Sequence, residues 1–166
     1  MPSPTRTAEH RRPRLIGINH VALEVGDVDE ALAFYGRFFD FELRGRADGM
    51  AFLDMGDQFL ALTATAERHR DGERHFGLVV DDREGLRSKL EAAGVEVVAG
   101  ARLDFLDPWG NRIQVVAYPD IQQIKDQAVL DALGASHLDK TAEARAELEA
   151  KGIRLGRLAA TVLDEY

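Results

Sequence analysis

The chain has 166 residues, 45% of them hydrophobic and 30% charged, so it can form one domain or two small modules that share a core. Its net charge of −8 argues against binding to the polyanionic backbone of nucleic acid. The chain has no cysteine, which excludes disulfides and thiolate metal sites and leaves nitrogen and oxygen ligands for any metal.

The first 14 residues are polar and basic and include three prolines. This composition predicts a flexible N-terminal tail rather than a secretory signal. The apolar runs of the chain are too short to cross a bilayer, so we expect no membrane partner. Together with the missing cysteines, these features favour a cytoplasmic location.

The first predicted module spans residues 15–66 and consists of a strand, a helix and three further strands. Residues 15–25 alternate as in a strand with one buried face. Asp27 is placed to cap a helix that runs to about Phe39. Two turns, at Asp48-Gly49 and at Gly56-Asp57, separate three strands predicted at residues 41–46, 50–55 and 58–65.

The second predicted module spans residues 73–118 and follows a charged linker. It has the same order of elements: a strand at 75–80, a helix at 84–93 that ends at Gly94, and strands at 95–98, 102–106 and 112–118. The last two strands are joined by the turn Asp107-Pro108-Trp109-Gly110-Asn111, where an early proline and a late glycine are typical of a tight turn.

The two modules look like copies of one another. His20 in the first strand corresponds to His75 in the second module at an offset of 55, and Asp27 corresponds to Asp82 at the same offset. Such an internal repeat predicts one supersecondary unit built twice. If the copies pair about a pseudo-twofold axis, both imidazoles point into one cleft, where a small ligand or a metal ion could sit.

Residues 119–166 lie outside the repeat and form a predicted C-terminal helical extension. Ile121, Ile124 and Leu133 suit one amphipathic helix that Gly134 stops, and residues 141–151 suit a second. These helices could cover the sheet, close the cleft, pack on a second subunit or dock a partner, and the sequence leaves these alternatives open.

Histidine in the first strand of each module, and Asp-Pro-x-Gly-Asn before the last strand, resemble the vicinal oxygen chelate superfamily. This group includes glyoxalases, extradiol dioxygenases, fosfomycin resistance enzymes and bleomycin resistance proteins. The resemblance covers roughly residues 15–118. It implies an α+β fold in which two βαβββ modules form a curved, half-barrel mixed sheet with helices outside. It also implies a homodimer that binds a small-molecule substrate or ligand.

The superfamily draws its metal ligands from the first and fourth strands of each module. At these positions the chain carries His20, Ala61, His75 and Gln114. Strand alternation independently places Ala61 and Gln114 on the same face as the histidines. The resemblance therefore implies that His20, His75 and Gln114 hold a divalent ion, for which iron, manganese, zinc and nickel remain candidates.

Two of the four ligand positions depart from the superfamily pattern. Ala61 cannot bind a metal, and Gln114 stands where extradiol dioxygenases have glutamate, so the ion would be held more weakly and remain more electrophilic. Ala61, Phe105 and Trp109 are candidate residues of a substrate pocket, although aromatic residues at this spacing are more often in the core. No catalytic residue is identified.

Two classes of function remain open. The first is an enzyme whose metal chelates vicinal oxygens of a small substrate, either a ring-cleaving dioxygenase or a lyase or isomerase. The second is a metal-free protein that binds a drug or a metabolite, as bleomycin resistance proteins do.

Overall fold

The computed structural model describes residues 18–100 and 102–155, and two strand–helix–three-strand modules are present in them. The first module consists of β1 (His20–Val25), α1 (Val28–Tyr35), β2 (Leu43–Ala47), β3 (Met50–Asp54) and β4 (Phe59–Ala64). The second consists of β5 (Phe76–Val80), α2 (Arg83–Ala92), β6 (Val97–Val98), β7 (Leu103–Leu106) and β8 (Arg112–Ala117). The predicted N-terminal tail lies outside the described residues.

The two module helices begin in the same way. Asp27 caps α1 by accepting a hydrogen bond from Glu30 N at 2.9 Å, and Asp82 caps α2 by accepting one from Gly85 N at 2.8 Å. The helix α1 ends at Tyr35, four residues before the predicted end. The backbone after it forms a tighter turn in which Phe38 N donates to Tyr35 O at 3.0 Å.

Each module forms its own four-stranded mixed sheet. The strand orders are β1-β4-β3-β2 and β5-β8-β7-β6, and the first strand of each module runs parallel to the fourth. In the described residues β1 is hydrogen-bonded to β4 and β5 to β8, so each is an edge strand. The α+β fold is confirmed, but the chain by itself holds two open sheets rather than one continuous sheet.

One hydrophobic core joins the modules. It contains α1, α2 and one face of each sheet, with fully buried residues such as Tyr35, Leu62, Leu90 and Ile113. Because one face of each sheet is buried in this core, the opposite faces point away from it. We call these opposite surfaces the open faces of the first and second sheets.

The C-terminal extension contains a short 3-10 turn and two helices, α3 (Gln127–Ala132) and α4 (Ala142–Ala150). The segment packs on the β3–β4 turn: Lys125 Nζ donates to Met55 O at 3.0 Å and also pairs with Asp57. Thus this extension covers one end of the first sheet. None of the helices in the described part of the chain is both long and apolar enough to span a bilayer.

Candidate metal site on the open sheet faces

His20 lies at the start of β1 on the open face of the first sheet. Its ring stacks on Phe59 with a centroid distance of 4.6 Å and an interplanar angle of 11°. His20 Nδ1 is 2.8 Å from Asn19 Oδ1, and an amide oxygen only accepts hydrogen bonds. Nδ1 therefore carries the hydrogen in the neutral ring, which leaves the lone pair on Nε2.

His75 lies one residue before β5 and has the same arrangement. Its Nδ1 is 2.8 Å from the backbone oxygen of Glu73, so Nδ1 donates and Nε2 keeps its lone pair. Histidines that bind metals through Nε2 nearly always donate their other N–H to an acceptor of this kind. Both histidines are exposed, so neither imidazole is covered by the core.

Small and apolar side chains occupy the middle of the first sheet's open face. Ala61 in β4 pairs with Ala22 on one side and with Phe52 on the other. Phe52 meets Phe59 edge-on at 5.8 Å, and the guanidinium of Arg44 lies 4.9 Å from the centre of the Phe59 ring. Ala61 is only 2% exposed, so its neighbours cover it and it offers little surface to a ligand in the single chain.

Gln114 lies on the open face of the second sheet and belongs to a polar network. It is paired with Gly77 of β5 and with Asp104 of β7. Gln114 Nε2 donates to Asp104 Oδ1 at 3.2 Å, and Arg112 donates to Asp104 Oδ2 through Nε at 3.0 Å and Nη2 at 2.6 Å. Sequence reasoning missed Asp104, although a carboxylate between Leu103 and Phe105 in a strand was the available signal.

The charge of Asp104 is set by two opposing effects. Burial of this side chain, which is 3% exposed, raises the pKa, but hydrogen bonds from Arg112 and Gln114 outweigh it and hold the pKa below the usual value. Asp104 is thus ionised at neutral pH and forms a charge-balanced pair with Arg112.

Alternation along β7 places Phe105 on the core side of the second sheet. Phe105 is fully buried and stacks near Phe39 at 6.4 Å, so it does not reach the open face that carries Gln114. Trp109 packs edge-on to Phe34 at 6.2 Å and lines a separate pocket of about 530 Å³ with Arg37. None of the candidate metal ligands lines that pocket.

A single chain brings some of the predicted site residues together and leaves others apart. Gln114 is on the second sheet with His75 just before it, whereas His20 and Ala61 are on the first, and no strand pairing joins the two sheets in the part of the chain that the structure describes. Within residues 18–100 and 102–155, no three His, Asp or Glu side chains form a group able to hold a metal. Any site that uses both histidines needs the two open faces brought together.

Two named transferases are similar in sequence to part of this chain. Glutathione transferase FosA of Serratia marcescens is 28% identical over 113 residues, which cover 61% of this chain and 80% of that protein. Metallothiol transferase FosB of Bacillus licheniformis is 26% identical over 116 residues, which cover 61% of this chain and 75% of that protein.

Solved structures match the same region. A putative glyoxalase family protein from Bacillus anthracis has a TM-score of 0.54 and 25% identity, covering 64% of this chain and 98% of that one. The fosfomycin resistance protein FosX from Listeria monocytogenes matches in fold, with a TM-score of 0.54 and 16% identity over 63% of this chain and 94% of that one. A family model matches residues 17–115, more than half of the sequence. The chain therefore belongs to the Glyoxalase/Bleomycin resistance protein/Dioxygenase superfamily.

Proposed function

We propose that this protein is a divalent-metal-dependent enzyme that acts on a small molecule with neighbouring oxygen atoms. The observation that carries the proposal is the hydrogen bonding of His20 and His75: Nδ1 of each exposed ring lies 2.8 Å from an oxygen acceptor, which leaves the Nε2 lone pair for a metal ion.

We infer that the site forms between two protomers. The strands β1 and β5 are edges of their sheets, and unpaired edges readily pair with another chain. If β1 of one protomer lies beside β5 of its partner, the two open faces become one wall. His20 of one protomer then approaches His75 and Gln114 of its partner, and twofold symmetry creates two such sites.

The donor set suits a first-row divalent ion. Two neutral imidazoles and an amide oxygen match manganese, iron, zinc or nickel, and they leave the full double charge on the ion. Such an ion, when bound, acts as a Lewis acid on substrate oxygens and favours an anionic substrate. The chain's own contribution is to hold the imidazoles, since Phe59 supports the ring of His20 by stacking on it.

The choice of reaction follows from Gln114 and from the relatives. A ring-cleaving dioxygenase of the type the chain resembles has glutamate at this position, so Gln114 argues against that reaction. The curated relatives are named glutathione transferase and metallothiol transferase. We therefore favour transfer of a thiol to a small anionic substrate, with lyase or isomerase chemistry as the other metal-dependent candidate.

A metal-free binding protein is the second candidate. It is favoured by Ala61 and Gln114, which supply no negative charge, and by the Asp104–Arg112 pair, which is already balanced. In that case Phe59 and Phe52 would offer a ring face on which a flat ligand could stack. This candidate predicts a dimer that binds no divalent ion.

The two candidates are separated by metal analysis combined with mixing of variants. Wild-type protein should bind one divalent ion per protomer, and His20→Ala and His75→Ala should each lose it. When the two variants are mixed and allowed to exchange protomers, half of the dimers become mixed, and each mixed dimer regains one intact site. About one quarter of the sites should then bind metal.

Two results would contradict this proposal. Wild-type protein without metal, and without a rise in melting temperature on addition of divalent ions, would favour the binding protein. Metal binding that the mixture does not restore, although mass measurements show mixed dimers, would place both histidines of a site in one protomer.

A further inference from the structure

Asp104 restricts how Gln114 can be oriented. The two residues are directly opposite each other in β7 and β8, and Gln114 Nε2 is 3.2 Å from Asp104 Oδ1. The other carboxylate oxygen accepts two hydrogen bonds from Arg112. An ionised carboxylate accepts hydrogen bonds and has none to donate. Gln114 must therefore present its amide nitrogen, and not its oxygen, to Asp104.

The planar amide group then fixes the direction of the carbonyl oxygen. Gln114 lies in β8, between β7 on one side and β5 on the other. With the nitrogen hydrogen-bonded to Asp104 in β7, the oxygen is on the other side of the planar amide and is kept off that carboxylate. The neighbour of Gln114 in β5 is Gly77, and a Cβ at Gly77 would meet no atom within 4 Å. Space is therefore free beside Gln114 on the side where His75 precedes β5.

We propose that Asp104 is a positioning residue that keeps the carbonyl oxygen of Gln114 directed at the metal ion. This inference rests on the proposed function. A glutamine without such a partner can turn its N–H₂ group towards the site, where it would repel a cation. The carboxylate removes this orientation and also polarises the amide, which makes the carbonyl oxygen a better donor to the metal.

The arrangement explains how a neutral ligand can serve at this position. The negative charge belongs to Asp104, which acts on the metal only through the amide of Gln114. Arg112 balances the charge of this carboxylate and holds it in place. Arg112 is itself fixed, because its backbone N donates to Asp71 at 3.1 Å and its Nη1 donates to Gly72 O at 2.7 Å. The network thus holds Gln114 without adding a net charge to the site.

Titration of metal-free protein with Co²⁺, followed by visible absorption, tests this role. Asp104→Asn keeps the size of the side chain but removes the charge that selects the orientation of Gln114. We expect Co²⁺ affinity to fall by about tenfold or more, as for other partners of metal ligands, with a changed absorption spectrum. Asp139→Asn is the matched control, because Asp139 is also paired with an arginine, Arg145, but both belong to the C-terminal extension and the change leaves the hydrogen bond between Asp104 and Gln114 in place.

An exchange of the two side chains provides a second test that does not depend on the single variant folding well. In Asp104→Asn/Gln114→Glu the amide and the carboxylate change places and their hydrogen bond is kept. The carboxylate now faces the metal directly, so Co²⁺ should bind more tightly than in wild type. Melting temperatures of the metal-free proteins report separately on stability.

The outcomes distinguish this inference from the proposed function. If wild type binds Co²⁺ through His20 and His75 but Asp104→Asn binds it equally well, the inference is overturned and the metal site stands. If Asp139→Asn weakens binding as much as Asp104→Asn, general electrostatics and not positioning is responsible, and the inference is again overturned. If wild type does not bind Co²⁺, or binds it independently of both histidines, the proposed function fails and the inference fails with it.

Discussion

Replacing Tyr35 with phenylalanine tests the contact that ties the two modules together. Tyr35 belongs to α1 of the first module, is fully buried, and donates to Asp107 Oδ2 of the second module at 2.9 Å. Burial, and then the neighbouring Asp107 carboxylate, raise the pKa of Tyr35 well above its usual value, so the hydroxyl stays a donor. Phenylalanine keeps the ring packing on Phe34 and removes only this hydrogen bond.

The expected loss follows from the type of bond. A hydrogen bond to a charged acceptor contributes about 1.5–3 kcal/mol, so Tyr35→Phe should lower the free energy of unfolding by about that amount. Asp107 keeps its hydrogen bonds from the side chain of Asn111 at 2.7 Å and from the backbone N of Trp109 at 3.0 Å. Because these bonds remain, we expect the loss of unfolding free energy to fall in the lower half of that range.

Urea unfolding followed by tryptophan fluorescence measures this loss, because the only tryptophan of the chain, Trp109, lies in the turn that Asp107 anchors. The control is Tyr118→Phe, which removes a longer contact of 3.3 Å between Lys125 N and the tyrosine oxygen. It should cost about 1 kcal/mol or less. Equal losses in the two variants, or none for Tyr35→Phe, would refute the view that this bond joins the modules.

Two further predictions concern the C-terminal extension. Burial lowers the pKa of Lys140 to about 8, whereas the unfolded chain keeps the usual value of about 10.5. Between these two values the unfolded chain binds more protons, so the free energy of unfolding should rise with pH. Lys140→Met should flatten that rise between pH 7 and 9.5, and an unchanged slope would contradict the prediction. Gly56 has a φ of +84°, and a Cβ there would lie 2.5 Å from Val129 Cγ1 of α3. Gly56→Ala should therefore lower the free energy of unfolding by about 1 kcal/mol or more and make limited proteolysis of the extension faster. Gly72→Ala, where a Cβ would meet nothing within 4 Å, is the control, and equal proteolysis of the two variants would refute the proposed clash.

Much of the fold could be predicted from local patterns. The order of the elements followed from alternation, from turn pairs such as Asp48-Gly49, and from the repeated caps Asp27 and Asp82, because these signals act over a few residues. The face occupied by Ala61 and Gln114 also followed, since side chains in a strand alternate strictly. Helix ends were less certain, and α1 stops at Tyr35 because a tighter turn replaces its last predicted turn.

The tertiary structure decided the rest. The same alternation left open which face of β7 meets the core, and packing against Phe39 places Phe105 in the core and Asp104, itself covered by its neighbours, on the opposite face. Whether the two sheets join within one chain could not be read from the repeat, because pairing within a chain and pairing between two identical chains satisfy the same local sequence. The shared core leaves β1 and β5 as separate edges, and this separation puts His20 and His75 on different open faces. The sequence by itself therefore determined the modules and their histidines, and long-range packing decided which surfaces those histidines occupy.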